Sequence, residues 1–421
     1  MESLIVWLYL ALFTLEFVVD FGLNELNLRY VREHAAEKLI PEFFRGKMSS
    51  EEYGQSVQYT LAKGRFQRWV EIYGRSVTLV ILFGGLLPFI DRVSKDLTSK
   101  FFLITNAQGL IFCFGVALVF FVASLPTDLY ATFRLEASFG FNKTTWKLYL
   151  TDKLKGLLLG ILIGVPFLLV ILWLMEAMGP RWWIWTFFFI SGFQLLMVIV
   201  YPTLIAPLFN KFEPLPEGEL RDRILRLAAQ VGFKTNGIFS MDGSKRSAHS
   251  NAYFTGIGKA KQIVLFDTLI AQMTIDQGLA VLAHEMGHYK MRHIVRMLVL
   301  QTMLLFFGLY ILSLLVNYRP LFAAFGLDPS NHAALVLFSL LAGPATFYLG
   351  PLINLLSRKH EYEADRFSVE TLRKSKPMEE ALVNLTVKNL SNLTPHPWYS
   401  AYHYSHPTPT ERISAIRATS V

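Results

Sequence analysis

Apolar and polar stretches alternate along the chain in blocks whose lengths suit membrane helices. Seven apolar runs occupy residues 4–21, 77–90, 101–125, 156–175, 182–209, 294–316 and 333–356. A helix that crosses the hydrocarbon core of a bilayer needs about 20 predominantly apolar residues. The second run is short, so we expect its helix to extend backward through Tyr73. The pattern predicts a mainly α, polytopic membrane protein with seven transmembrane helices.

The polar segments divide the chain into four parts. We expect residues 1–209 to form a membrane region with spans one to five and with helical extramembrane segments at 27–71 and 126–155. The first of these segments is either an extramembrane helical hairpin or an extension of its flanking spans. The remaining parts are a soluble segment at 210–293, spans six and seven at 294–356, and a second soluble segment at 357–421.

The two soluble segments have secondary-structure patterns of their own. The first predicts one amphipathic helix at 217–231 and strands at 237–241 and 262–266. The second predicts a helix near 378–390 and a short helix that begins after Thr408, where a proline and a capping glutamate follow. A small α+β domain is therefore expected beside the membrane helices.

Composition supports the membrane assignment. The 421 residues are 53% hydrophobic and only 17% charged, which exceeds the apolar content of a soluble protein. The net charge of +8 could indicate nucleic acid, but the basic residues lie between apolar runs and no nucleic-acid motif occurs. We therefore predict a lipid bilayer, and no nucleic acid, as partner. Cys113 is the only cysteine, so neither an intrachain disulfide nor a thiolate metal site can form.

The basic residues also predict an orientation. Residues 126–155 carry five lysines and arginines, whereas the short connections around Arg181 and Arg319 carry one each. Because cytoplasmic loops are enriched in basic residues, we expect the N-terminus outside and both soluble segments in the cytosol. Arg92, Lys95 and Lys100, in the outer connection after the second run, count against this orientation.

The strongest chemical signal is a motif of the H-E-x-x-H form. His284 and His288 lie four residues apart and therefore on one face of a helix. Two imidazoles in this position can hold one zinc ion, and Glu285 is placed to take a proton from a metal-bound water. Thr274 and Gln277 have the spacing of a capping box, which predicts where this helix begins. An ordinary helix can carry the same spacing, so a third ligand is needed.

The helix after the seventh run offers that third ligand. His293 has the wrong spacing for the third histidine of the metzincin pattern. Glu361 and Asp365 share a face, and we expect Glu361 to bind the metal while Asp365 accepts the N–H of a ligating histidine. Glu363 points elsewhere and is predicted to be a solvated charge. Without the zinc motif, these acids would indicate only an ordinary charged helix.

With these residues in place, the chain resembles the type I CAAX prenyl proteases, which are integral-membrane zinc metallopeptidases with seven spans. The resemblance covers nearly the whole chain. The motifs that carry it are Phe139-Gly-Phe-Asn-Lys-Thr144, Pro207-Leu-Phe-Asn-Lys-Phe212, His249-Ser-Asn-Ala-Tyr-Phe254, His284-Glu-Met-Gly-His288, Ser357 to Asp365, and His403-Tyr-Ser-His-Pro407 with Glu411-Arg412. It implies one zinc ion on His284, His288 and Glu361, with Glu285 as base. It also implies a gluzincin-like domain on the cytosolic side and a chamber enclosed by the spans.

The resemblance also implies roles for three further residues. It implies that Asn251 and His406 contact the substrate strand or the oxyanion and that Arg412 supports the site. On the residues alone, Asn251 would be a turn residue, and His406 could equally be a packing or surface group. A substrate added as a strand beside Asn251 gives its amide a role, because the amide would pair with peptide backbone.

Three functions compete. The favoured one is removal of the C-terminal tripeptide from prenylated CAAX proteins by a monomer, in the endoplasmic reticulum membrane of a eukaryote or the inner membrane of a bacterium. The second is a quality-control metalloprotease of the HtpX type with broader specificity, although that family is shorter and has fewer spans. The third is a non-enzymatic, zinc-containing transporter in which Glu16 and Asp20 line a path. Structural zinc normally has four protein ligands, which disfavours the third function.

Overall fold

The computed structural model describes residues 1–37, 40–101, 106–255 and 261–419, and long helices dominate it. The first four residues after Phe101, which belong to the predicted third run, lie outside the described residues. The helices of the N-terminal half are α1 (Glu2–Ala36), α2 (Ser50–Phe83), α3 (Leu86–Phe101), α4 (Ala107–Tyr130), α5 (Trp146–Ala177), α6 (Trp182–Val200) and α7 (Ala206–Phe209).

The polar segment 27–71 consists of extensions of its two flanking spans. Helix α1 continues past the apolar run to Ala36, and α2 begins near Ser49. There the Ser49 side chain accepts the N–H of Glu52, and the Glu52 carboxylate accepts the N–H of Ser49. Of the two alternatives for this segment, the structure has the extended spans. Both helices therefore project beyond the apolar layer toward the soluble segments.

The second predicted span is bent. Helices α2 and α3 meet at Gly84 and Gly85 with an angle of 57° between them. Gly85 has a φ of +75°, a conformation that residues with a side chain adopt only with strain. In the described part of the chain, six helices are long and apolar enough to cross a membrane, or seven if the bent pair is one span. The prediction of a mainly α, polytopic membrane protein is thus confirmed, with six to seven spans.

The described part of residues 212–290 contains a small mixed sheet and three α-helices. Its elements are β1 (Phe212–Pro214), α8 (Glu219–Gln230), β2 (Ile238–Met241), β3 (Ala252–Thr255), β4 (Gln262–Phe266), α9 (Asp267–Gln272) and α10 (Ile275–Lys290). The strand order is β1-β2-β4-β3, with β2 and β4 parallel and the other pairs antiparallel. Strand β3 therefore lies at one edge of the sheet. Strand β1 was not predicted, because three residues are too few for a recognisable alternation.

Helix α10 is held against this sheet by an apolar core. Ile263 and Leu265 of β4 are fully buried together with Ile224 of α8 and Leu282 of α10. Complete burial of one such side chain contributes about 1.5–3 kcal/mol. The opposite face of α10 is not covered by the sheet and packs against another helix.

The C-terminal part of the chain supplies that helix. Its elements are α11 (His293–Leu315), α12 (Arg319–Ala323), α13 (Asn331–Thr346), α14 (Gly350–Leu372), α15 (Lys376–Lys388), α16 (Pro397–His403) and α17 (Pro409–Ala418). Helix α16 was not predicted. Helix α14 packs along α10 at Gly287, where a Cβ atom would lie 3.1 Å from both the Ala364 Cα and the Phe367 Cβ. The Ser368 hydroxyl also donates to the Ala280 carbonyl, at 2.8 Å.

Candidate metal centre

Helices α10 and α14 bring the three predicted metal ligands together. The Nε2 atoms of His284 and His288 are 3.1 Å apart, as expected for histidines one turn apart on one helix face. The two carboxylate oxygens of Glu361 lie 3.4 Å from the His284 Nε2 and 3.2 Å from the His288 Nε2. One ligand atom from each residue falls within 4.8 Å of the other two. This spacing suits three ligands around one ion.

The chemistry of this group fits zinc. Imidazole nitrogens and a carboxylate oxygen are ligands that zinc binds at catalytic sites, where three protein ligands leave one position open. His284 and Glu361 are buried, and within the described residues the Oε2 atom of Glu361 makes no hydrogen bond, although the Nη1 atom of Arg412 lies 3.2 Å from it. A buried carboxylate oxygen without a hydrogen bond is costly unless a cation or another donor reaches it.

Asp365 lies behind His284. The Asp365 Oδ1 is 2.8 Å from the Nδ1 of His284, so the carboxylate accepts the Nδ1 proton and leaves Nε2 free to bind a metal. Arg412 of α17 donates to both oxygens of Asp365, at 2.6 and 2.8 Å. Burial tends to lower the pKa of Arg412, but the Asp365 and Glu361 carboxylates raise it overall, so its guanidinium stays charged. Arg412 thus holds the Asp365 carboxylate in place behind His284.

Glu285 directly follows the ligand candidate His284, whereas His406 reaches the site from a different part of the chain. Burial raises the pKa of the Glu285 carboxyl, and His284 and His288 only partly offset that effect. A general base works best when its pKa lies nearer the operating pH. His406, in the loop before α17, has its Nε2 3.4 Å from an oxygen of Glu361, and its side chain is 62% exposed. The loop between α16 and α17 therefore brings a solvent-accessible imidazole to the ligand group.

The structure places Asn251 directly before the edge strand β3. Its side chain is exposed, and its Oδ1 accepts the N–H of Ala252 at 2.8 Å. Nearby His249, which the sequence reasoning assigned no role, bonds through Nδ1 to the Asn389 Oδ1 at 3.0 Å and stacks on Phe141. In the parts that the structure describes, Asn251 makes no hydrogen bond with the three ligands. Its predicted role therefore depends on a substrate strand beside β3.

Glu363 and His293 have positions that the sequence reasoning did not foresee. Glu363 is partly exposed, as expected of a charge that does not bind the metal, but its Oε2 also lies 2.8 Å from the Nε2 of His293. The Nδ1 of His293 in turn lies 3.0 Å from the Nδ1 of His288. Motif spacing gave no signal for this contact, because the helix is interrupted by a turn between α10 and α11.

The carboxylates of the first span are paired. Arg75 of α2 lies 3.2 Å from both Glu16 and Glu71, and the His403 Nε2 lies 3.2 Å from Asp20. A polar cavity of about 580 Å³ separates these helices from the C-terminal loops. The carboxylates thus join α1 to α2 and to α16, which does not favour the transport path of the third hypothesis.

A helical membrane fold with two histidines and a glutamate converging from two helices defines the class of membrane metallopeptidases. Two family models match the chain and cover nearly all of it. Residues 28–211 match the CAAX prenyl protease N-terminal model, described as five membrane helices, and residues 214–420 match the model of peptidase family M48.

Curated relatives and a solved structure point to the same family as the two family models. The chain is 40% identical to the CAAX prenyl protease 1 homolog of Oryza sativa subsp. japonica over 397 residues, covering 92% of each chain. It is 35% identical to the CAAX prenyl protease 1 of Saccharomyces cerevisiae, covering 90% of this chain and 89% of that protein. The crystal structure of S. mikatae Ste24p matches with a TM-score of 0.90 at 34% identity, covering 99% of this chain and 98% of the other. The chain belongs to peptidase family M48, as a membrane metalloendopeptidase, and this excludes the non-enzymatic transporter.

Proposed function

We propose that this protein is a zinc-dependent endopeptidase that removes the C-terminal tripeptide of prenylated CAAX proteins. The observation that carries the chemistry is the convergence of His284, His288 and Glu361, with Asp365 behind the first histidine. The names of the relatives, CAAX prenyl protease 1 and its homologs, support the substrate class.

The proposed mechanism uses the residues at their observed positions. A zinc ion held by the three ligands would polarise the scissile carbonyl and make water a stronger nucleophile. Glu285, whose pKa is raised by burial, takes the proton of the attacking water and passes it to the leaving amine. His406 stabilises the negative charge that develops on the carbonyl oxygen, and Arg412 assists by holding Asp365.

The edge strand β3 provides a docking position for the substrate. Its partner β4 lies on one side only, so the other side can pair with an extended peptide. Asn251 directly precedes this strand and would bind peptide backbone there. We take the zinc-protease domain that contains it to be gluzincin-like. The polar cavity between α1, α2 and the C-terminal loops supports the proposal of a chamber enclosed by the spans.

We propose a membrane arrangement that follows the four parts of the chain. Residues 1–209 and 294–356 form the membrane region, while 210–293 and 357–421 form the catalytic segments. The basic residues of the polar segments support a metal site that faces the cytosol. The membrane is that of the endoplasmic reticulum in a eukaryote and the inner membrane in a bacterium, and the enzyme acts as a monomer.

The decisive experiment is cleavage of a farnesylated CAAX peptide and of its unprenylated twin by the purified, zinc-loaded protein, with Glu285→Ala as blank. Strong preference for the farnesylated peptide is the expected result. Equal cleavage of the two peptides would replace the proposal by an endopeptidase of broader specificity, as in the quality-control hypothesis. Absence of cleavage above the blank would contradict the proposed substrate class.

A further inference from the structure

The two histidines of the metal centre have different partners behind them. His284 bonds directly to the buried carboxylate of Asp365. His288 instead faces a second imidazole, that of His293, at 3.0 Å between their Nδ1 atoms. His293 is 2% exposed, and its other nitrogen lies 2.8 Å from the Glu363 carboxylate. We propose that His293 and Glu363 are positioning residues that orient His288 for metal binding.

The inference rests on the proposed function, because it assumes that His288 binds zinc. A ligating histidine needs an unprotonated nitrogen toward the metal and a partner for the N–H of the other nitrogen. The Nε2 of His288 faces His284 and Glu361, so its Nδ1 carries the proton.

That assignment sets every proton in the chain of contacts. The Nδ1–H of His288 donates to the Nδ1 of His293, which must then be unprotonated. His293 consequently carries its proton on Nε2 and donates it to the Glu363 carboxylate. With His293 neutral, the side chains of His288, His293 and Glu363 all have hydrogen-bond partners. The negative charge of Glu363 then lies at the end of this series that is farthest from the metal.

The backbone between α10 and α11 makes this contact possible. On a continuous helix, a residue five positions after His288 would lie about 140° around the axis. Here α10 ends at Lys290, and Arg292 adopts a left-handed conformation with a φ of +57°. A non-glycine residue rarely adopts that conformation. The turn returns His293, the first residue of α11, to the face of α10 that carries the ligands.

Packing then fixes the plane of the His293 ring. It stacks on His360 of α14, with ring centres 4.0 Å apart and an angle of 12° between the planes. His360 directly precedes the ligand Glu361. The stacked pair therefore connects His293, which contacts His288, to α14, the helix that carries Glu361. The start of the sixth span is tied to the metal centre through the same ring.

The test is the affinity for zinc, measured by chelator competition on the full-length protein in detergent, together with the visible spectrum of the cobalt-substituted form. Loss of such an outer partner typically weakens metal binding by about 10- to 100-fold. We expect His293→Ala to raise the zinc Kd by about 10-fold or more and to alter the cobalt spectrum. Glu363→Ala should weaken binding several-fold.

Two further variants separate positioning from general stability. His293→Asn places an amide oxygen near the position of the lost Nδ1, so it should recover part of the affinity. Lys359→Ala removes a cation 3.9 Å from the same Glu363 carboxylate and should leave zinc binding unchanged. If His293→Ala fails to fold, His293→Asn and Glu363→Ala carry the test, since the Glu363 side chain is 29% exposed.

A double-variant cycle decides whether the two residues act as one unit. Adding Glu363→Ala to His293→Ala should cause no further loss of affinity. Independent, multiplying losses would overturn the proposal, and so would a wild-type zinc Kd and cobalt spectrum in His293→Ala. If the wild-type protein itself does not bind zinc, the proposed metal site is wrong. That result differs from one in which wild type and variants bind zinc equally, which contradicts only the positioning role.

Discussion

At the scale of single residues, neighbours in space give the chemical groups their roles. Glu285 directly follows the proposed ligand His284 in sequence, and burial is the main influence on its carboxyl, whose pKa it raises. Glu361, in contrast, touches His284, His288 and Arg412. The first arrangement suits a base that exchanges protons, and the second suits a ligand. These two glutamates should therefore respond differently to substitution.

Glu285→Gln should abolish turnover and leave zinc binding intact. Positioned proton transfer contributes about 10²- to 10⁴-fold, and the amide cannot accept the proton of water. The measurement is kcat on the farnesylated peptide beside the zinc content of the purified protein. Glu370→Gln, an exposed change on α14, is the control and should keep full activity. A zinc-free Glu285→Gln protein would show that Glu285 is itself a ligand.

Glu361→Ala should lose zinc. Without its carboxylate only two histidines remain, and the buried guanidinium of Arg412 loses one of its two acidic partners. Zinc stoichiometry after dialysis at defined free metal, measured by atomic emission, is the readout. Retention of one zinc per chain in this variant would remove Glu361 from the ligand set.

At the scale of secondary-structure elements, the close packing of α10 and α14 builds the site. Neither helix holds all three ligands, so the distance between their axes determines whether a metal fits. Gly287 permits this distance and lies inside the H-E-x-x-H motif. The motif therefore combines two proposed metal ligands, the proposed base and a packing residue within five positions.

Gly287→Ala should weaken zinc binding and destabilise the protein. The new methyl group would meet the Ala364 backbone at 3.1 Å, and such overpacking costs about 1–3 kcal/mol. Gly278→Ala is the matched control, because it lies on the same helix with no atom within 4 Å of the added Cβ. Thermal unfolding and zinc Kd are measured for both. Equal behaviour of the two variants would refute the role of close packing.

At the scale of the whole molecule, the membrane helices and the metal centre are joined through the C-terminal loops. Asp20 of α1 pairs with His403 at the end of α16, three residues before His406. Asn27 of α1 also accepts the N–H of His396, at 3.0 Å. The first span thus helps to hold the loop that carries His406 over the ligands.

His403→Ala should lower kcat/KM without changing the zinc Kd. Releasing the loop displaces His406 but leaves the three ligands in place on α10 and α14. Kinetics on the farnesylated peptide, compared with Trp398→Ala on the exposed face of α16, test this prediction. A parallel loss of zinc would instead mean that the α1 contact maintains the metal centre itself.

The sequence by itself determined the helical membrane class, the strand β4, the capped start of α10, the placement of His284 and His288 on one helix face, and Glu361 as the candidate for a third ligand. These features follow from local periodicity, capping and i, i+4 spacing, which depend on nearby residues. Only the tertiary structure decided the bend between α2 and α3, the strand β1, and the contact of His293 with His288 and Glu363. A turn conformation or a packing distance between separate helices depends on residues far apart in the chain, and no local pattern encodes it.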